Sequence, residues 1–205
     1  ITLQFDNKIG SVQQIITATN IGVLRRQAIL KELNLKKNQT IIDIGCGGGH
    51  LVEEISMCVG SKGKVIGVDP SEFQIKTAKE RCKHLSNVEF LCNNANDIDI
   101  ENKSCDAVTF TQTLEYIDDV DEALSASKRL QKPMSNFVNV STLWDFFGFH
   151  GPEKELNNMM HEIYRTQKHP MLPTKLNGKL ERQGYTNIKT LEIPFFITQK
   201  DENSF

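Results

Sequence analysis

The sequence has no basic excess: 24 Lys and Arg stand against 26 Asp and Glu, a formal charge of −2 over 205 residues. Binding that rests on neutralising phosphates is disfavoured, because basic residues cluster only in pairs such as Arg25-Arg26, Lys36-Lys37 and Lys128-Arg129. No nucleic-acid partner is expected. Long apolar runs are missing as well. The longest charge-free stretch, Ile9 to Leu24, is interrupted by Ser11, Gln13, Gln14, Thr17, Thr19 and Asn20, so no membrane partner is expected either. The five cysteines (46, 58, 82, 92 and 105) form no C-x-x-C pair. Their odd number and scatter suit reduced thiols in the cytoplasm better than disulfides or a zinc site.

What is present is alternation. Short β-branched and apolar runs are each followed by helical periodicity, the pattern of βαβ units and a parallel sheet. The predicted strands are Thr40–Ile44, Lys64–Asp69, Val88–Cys92, Asp106–Phe110, Phe137–Val140 and Ile188–Thr198. Between them Leu51, Val52, Ile55 and Val59 share one helical face. Ile75, Ala78, Cys82 and Leu85 form a second stripe behind an S-x-x-Q capping box, Ser71 and Gln74. Val120, Ala123, Leu124, Ser127 and Leu130 form a third. The chain up to Leu35 reads as helical cover and Asn93 to Lys103 as a polar loop. An irregular helix opens at Pro152, and a last helix, Pro173 to Gln183, is closed by Gly184.

The densest constellation is Ile41-Ile42-Asp43-Ile44-Gly45-Cys46-Gly47-Gly48-Gly49-His50, at a strand-to-helix turn. Four glycines in five positions exceed what turning requires, and they let the backbone approach a ligand closely at a helix N-terminus. The dinucleotide fingerprint G-x-G-x-x-G fails, since from Gly45 its third glycine position holds His50. A carboxylate at Asp43 would repel a pyrophosphate but suits a cationic amino-acid ligand. An NAD-dependent oxidoreductase is disfavoured on both grounds.

Residues 41–49 match the first motif of the class I S-adenosylmethionine-dependent methyltransferases, hydrophobic-hydrophobic-Asp-x-Gly-x-Gly-x-Gly, and the chain resembles that family over roughly residues 20 to 193. The resemblance implies an α/β, Rossmann-like, doubly wound and mostly parallel sheet with helices on both faces. It implies that Gly45, Cys46, Gly47 and Gly49 wrap the methionine part of S-adenosylmethionine, with Asp43 supporting its ammonium group. Asp69, followed by Pro70 after the second strand, is implied to accept from the ribose hydroxyls; helix capping is the alternative for Asp69. The family's Gly-Asp-Ala element reads Asn93-Asn94-Ala95 here. Asn94 keeps a carbonyl oxygen for an adenine N–H, and Asn96 or Asp97 are alternatives for that contact. The segment Cys105 to Asp119 resembles the fourth element of small-molecule methyltransferases, which puts Phe110, Thr111 and Gln112 at the sulfonium end. The Asn/Asp-Pro-Pro-Tyr/Phe motif of amino-methyltransferases acting on nucleic-acid bases is missing.

Methyl transfer from a sulfonium is an in-line displacement that asks the protein for alignment and exclusion of water, and no metal is implied. In open α/β sheets the ligands lie beyond the carboxyl ends of the strands, which places Glu115, Tyr116 and the segment 142–150 on the acceptor side. Glu115 and Asp145 are the candidate catalytic carboxylates, and Tyr116, Trp144 and His150 the candidate acceptor-binding residues. Trp144, Phe146, Phe147 and Phe149 form either an aromatic wall or core packing. The reading is a single domain, 1–205, with a helical cover (1–36), a cofactor-binding core (37–140) and an acceptor-side segment (141–205). It is expected to methylate a small molecule and to release S-adenosylhomocysteine. The rival is a non-catalytic cofactor-binding or partner subunit of the same fold, towards which Asn94 and the absence of Gly-Gly after Lys132-Pro133 both lean. The family's last, antiparallel strand is expected to be missing, its place lying in roughly 30 to 60 further residues.

Overall fold

The computed structural model describes residues 7–146, 153–165 and 168–193. Five strands, β1 (Thr40–Ile44), β2 (Lys64–Val68), β3 (Val88–Leu91), β4 (Cys105–Thr111) and β5 (Gln131–Val140), form one all-parallel sheet in the order β3-β2-β1-β4-β5. The strands alternate with α3 (His50–Val59), α4 (Glu72–Arg81) and α5 (Val120–Leu130), preceded by α1 (Asn7–Ala18) and α2 (Asn20–Leu33) and followed by α6 (Lys154–Arg165) and α7 (Leu172–Arg182). Among the described residues, no helix is long and apolar enough to cross a membrane.

The period-2 geometry of β1 divides its side chains between two cores. Ile42 and Ile44 face one cluster, with Val108, Phe110, Leu124, Leu130, Leu172 and Leu176. Ile41 faces the other, with Ile29, Leu33, Val52, Ile55 and Val65. Helices therefore cover both faces, and each fully buried Ile or Leu contributes about 1.5–3 kcal/mol. Because β2 and β3 lie on one side of β1 while β4 and β5 lie on the other, the winding reverses between β1 and β4. In doubly wound sheets that reversal opens the ligand crevice.

Three details depart from the sequence expectation. The N-terminal cover is two helices, broken where the Thr19 side chain caps α2 by accepting the Gly22 N–H. The fifth strand begins six residues early, at Gln131, directly after α5. Its register jumps from Cys105↔Gln131 to Ala107↔Asn136, so residues 132–135 bulge out, with Met134 97% exposed at φ +63°. The predicted sixth strand is corrected over its described part: residues 188–193 form no ladder, and Ile188 packs by its side chain against the first core instead. The rest of that strand lies outside the described residues, as do Phe147, Phe149, His150 and Pro152.

Candidate functional site

The turn after β1 takes a path that ordinary side chains would obstruct. Gly45 sits at φ +78°, and a Cβ there would lie 2.0 Å from the Thr113 Oγ1, just beyond β4. Gly49, at φ +80°, starts α3 with its backbone against Ala78 of α4, 2.9 Å from where a Cβ would stand. The Gly45 and Cys46 N–H groups both donate to the Val68 carbonyl, at 2.7 and 3.0 Å, which pins the turn to the end of β2.

Two carboxylates lie beneath this turn. Asp69 accepts from the Gly47 N–H at 2.9 Å through Oδ2 and from the Ser71 N–H at 2.9 Å through Oδ1. Burial raises its pKa and these two N–H groups oppose the rise. Asp69 thus ties the glycine turn to the residue that caps α4, Ser71, and each oxygen retains a lone pair that a hydroxyl could use. Asp43 is only 1% exposed, and burial, then the neighbouring charge of Asp69, pushes its carboxyl up to about 7. Among the described residues its Oδ1 has no hydrogen-bond partner.

Asp43 pairs in register with Thr109, whose buried Oγ1 is likewise unsatisfied, as is that of Thr111 two residues on. A buried polar atom without a partner costs about 1–3 kcal/mol, so a row of them at the sheet's reversal fits a polar ligand. A cation suits best, because it would lower the Asp43 pKa and restore the ionised form. The Cys46 thiol is buried beside them, and burial raises its pKa well above the usual range. It lines the turn without nucleophilic character.

Farther along the carboxyl ends, Pro70 is exposed, with its carbonyl accepting from the Cys92 thiol at 3.6 Å. In the 93–97 loop Asn96 donates to Glu122 at 2.7 Å, and the Asn93 side chain donates to the Asp97 carbonyl at 3.0 Å. Asn94 is exposed with no side-chain hydrogen bond among the described residues, and Ala95 packs against the first core. Of the two asparagines open as adenine contacts, Asn94 has its carboxamide available while Asn96 is held by Glu122.

Beyond the ends of β4 and β5 the structure gathers Glu115, Ser141 and Thr142. Glu115 is fully buried; it accepts from the Ser141 hydroxyl at 2.9 Å and the Thr142 N–H at 3.3 Å. Burial raises its pKa, with the two donors and the Arg25 guanidinium of α2 opposing. Burial likewise pushes up the Tyr116 hydroxyl beside it. Trp144, Asp145 and Phe146 form a single turn that is anchored by the Trp144 N–H on the Pro170 carbonyl at 2.9 Å. Asp145 is exposed and Phe146 is 76% exposed, so Phe146 is surface rather than core, whereas Trp144 is half-buried.

Sequence reasoning missed the role of α1. Its Gln14 amide lies against Gly48, within 2.1 Å of where a Cβ would stand, and donates to Gln74 at 2.8 Å. Gln74, nearly fully buried on α4, donates in turn to Gln13. The expected capping box is half present: Gln74 N–H reaches the Ser71 hydroxyl at 3.4 Å, but the Gln74 side chain turns to α1, while Ser71 N–H is taken by Asp69. Contacts across some 60 residues of sequence leave no local signal.

The sequence profile of a methyltransferase domain matches residues 35–190. A demethylmenaquinone methyltransferase of Staphylococcus carnosus is 32% identical over 117 residues, 57% of this chain and 48% of that protein. The chain spans about half the length of the curated relatives it matches. Among solved structures, a SAM dependent methyltransferase from Aquifex aeolicus superposes with a TM-score of 0.66 at 23% identity, over 84% of this chain and 87% of that one. A Haemonchus contortus phosphoethanolamine N-methyltransferase 2, solved with S-adenosylhomocysteine, gives 0.65 at 22% identity, over 80% of this chain and 37% of that one. With the 41–49 turn, the reversal between β1 and β4 and a profile match over most of its length, the chain belongs to the methyltransferase-domain family, of the class I S-adenosylmethionine-dependent type.

Proposed function

We propose that this chain binds S-adenosylmethionine in the crevice between β1 and β4 and transfers its methyl group to a small molecule. The observation that carries the reading is the buried Asp43 carboxyl beneath the glycine-rich turn, its Oδ1 without a partner among the described residues, with Asp69 one strand away. When bound, the cofactor would supply an electrophilic methyl group on its sulfonium.

The chain's own residues bind and orient. Asp43 neutralises an ammonium group, directly or through water, with Gly45, Cys46, Gly47 and Gly49 enclosing it. Asp69 accepts from ribose hydroxyls with the lone pairs its two backbone donors leave, beside Pro70, and Asn94 and Ala95 meet the adenine. Thr111 and Gln112 border the reacting end. Glu115 holds the backbone of Thr142 in place, and Tyr116 and Trp144 wall the acceptor from water, with Asp145 at the rim as a polar anchor. The relatives named as demethylmenaquinone methyltransferases support a small aromatic acceptor, and the five free cysteines suit the reducing cytoplasm.

Calorimetric titration with S-adenosylhomocysteine is the first test, and folded protein that does not bind it would sink the reading. Transfer of a labelled methyl group is then measured against hydroquinones, including a short-chain demethylmenaquinol, and against phenols, carboxylates and amines. Binding without turnover on every acceptor would identify a non-catalytic module.

A further inference from the structure

Gln112 is the residue after β4, at the reversal of the sheet, and three observations single it out. Its backbone is left-handed, φ +52°, a conformation that costs a residue with a side chain about 1–2 kcal/mol. It is held there because its N–H donates to the Val140 carbonyl at 2.7 Å, bridging the ends of β4 and β5. Its side-chain Oε1 accepts from the Thr142 hydroxyl at 2.9 Å, which sets the orientation of the amide. The Nε2 is thereby left buried, with no acceptor among the described residues.

Strain and an unsatisfied buried donor at one residue, where the sheet reverses and next to Thr113, which packs on the Gly45 turn, mark a place where a ligand atom completes the hydrogen bonding. An amide N–H there requires an acceptor lone pair, which a carbonyl, carboxylate or phenolic oxygen supplies.

Resting on the methyltransferase reading above, we propose that the Gln112 amide recognises an oxygen of the methyl acceptor, selecting acceptors that present a carbonyl, carboxylate or phenolic oxygen. The cofactor's carboxylate has the same chemistry, and the test separates the two. The Thr142 bond matters as much as the donor itself: Thr142 belongs to the loop that Glu115 anchors, so the amide is orientated from the acceptor side of the site.

The experiment loads the full chain with S-adenosylhomocysteine and titrates in a short-chain demethylmenaquinol, a naphthol and a naphthoate under reducing conditions. Wild type, Gln112→Leu and Gln112→Glu are compared, with circular dichroism as the control for folding. At least one probe should bind wild type saturably, and both variants should weaken it about tenfold, since each removes the donor. Because Gln112 also borders the sulfur end of the cofactor, S-adenosylhomocysteine affinity is measured in parallel and should fall several-fold less than the probe affinity. Equal loss of S-adenosylhomocysteine affinity would move the contact to the cofactor's carboxylate and overturn the proposal. Binding that survives Gln112→Glu but not Gln112→Leu would mean that the ligand donates, and would also overturn it. So would failure of all three probes to bind a protein that still takes up S-adenosylhomocysteine, an outcome that leaves the methyltransferase reading standing.

Discussion

Replacing Asp43 with asparagine should remove a pH dependence that the wild-type protein shows in two opposite directions. The carboxyl is fully buried and titrates near 7, pushed there first by desolvation and then by Asp69. A cationic ligand prefers the ionised form, which makes up about one tenth of the population at about pH 6 and about nine tenths at about pH 8. S-adenosylhomocysteine affinity should therefore rise about tenfold across that interval, with proton release on binding. The ligand-free protein runs the other way. A folded-state pKa raised above the unfolded value contributes stability that is fully present below about pH 4 and is lost as pH climbs through about 7. The rise from 3.8 to about 7, at about 1.4 kcal/mol per tenfold change in proton affinity, limits that loss to about 4 kcal/mol. The carboxamide of Asp43→Asn carries no charge, so the variant should bind weakly at every pH and melt higher than wild type at pH 8. Calorimetry in two buffers of different ionisation enthalpy, with thermal melts over the same pH series, measures both arms. Wild-type affinity that is flat from pH 6 to 8 would refute the assignment of Asp43 to an ammonium group.

Three further perturbations follow from the same geometry. Asp69→Ala should weaken S-adenosylhomocysteine binding by about 1.5–3 kcal/mol by calorimetry, and unchanged affinity would contradict the ribose role. It should also lower the melting temperature, because the Gly47 and Ser71 N–H groups lose their acceptor. Gly45→Ala should destabilise the fold by at least about 2 kcal/mol, from its left-handed backbone and the collision with Thr113; addition of Thr113→Gly should recover only the collision part, as read from denaturant midpoints. Met134→Gly should stabilise by about 0.5–1 kcal/mol: relief of the left-handed cost outweighs the added chain entropy, and a side chain 97% exposed gives up no packing. A lower melting temperature would show that the 132–135 bulge is held by more than backbone conformation.

The strands were legible because β-branched runs at period 2 and glycine's steric freedom are properties of neighbours in the chain. Four of the five strands lie within about a residue or two of where the pattern places them, and Asp43 and Asp69 stand at the strand ends that their spacing indicates. The exception is β5, whose early start depends on α5 delivering Gln131 straight to the sheet edge, a matter of where β4 lies rather than of residues 131–136 themselves. Over its described part, residues 188–193, the sixth predicted strand shows the same limit: Ile188 packs against the first core by its side chain, Leu191 is exposed, and no ladder forms.

The sequence by itself determined a glycine turn after a first parallel strand, with an acid beneath it and another one strand away. Tertiary structure decided what those groups are like. Among the described residues it buried the Asp43 Oδ1 without a partner, closed Glu115 over Ser141 and Thr142, laid the glutamines of α1 against the turn, and twisted Gln112 into a left-handed backbone with an idle donor. The physical reason is range. Propensity and periodicity act between residues a few positions apart, whereas desolvation and hydrogen-bond satisfaction depend on groups that arrive from 25 to 100 positions away, and only the folded chain brings them together.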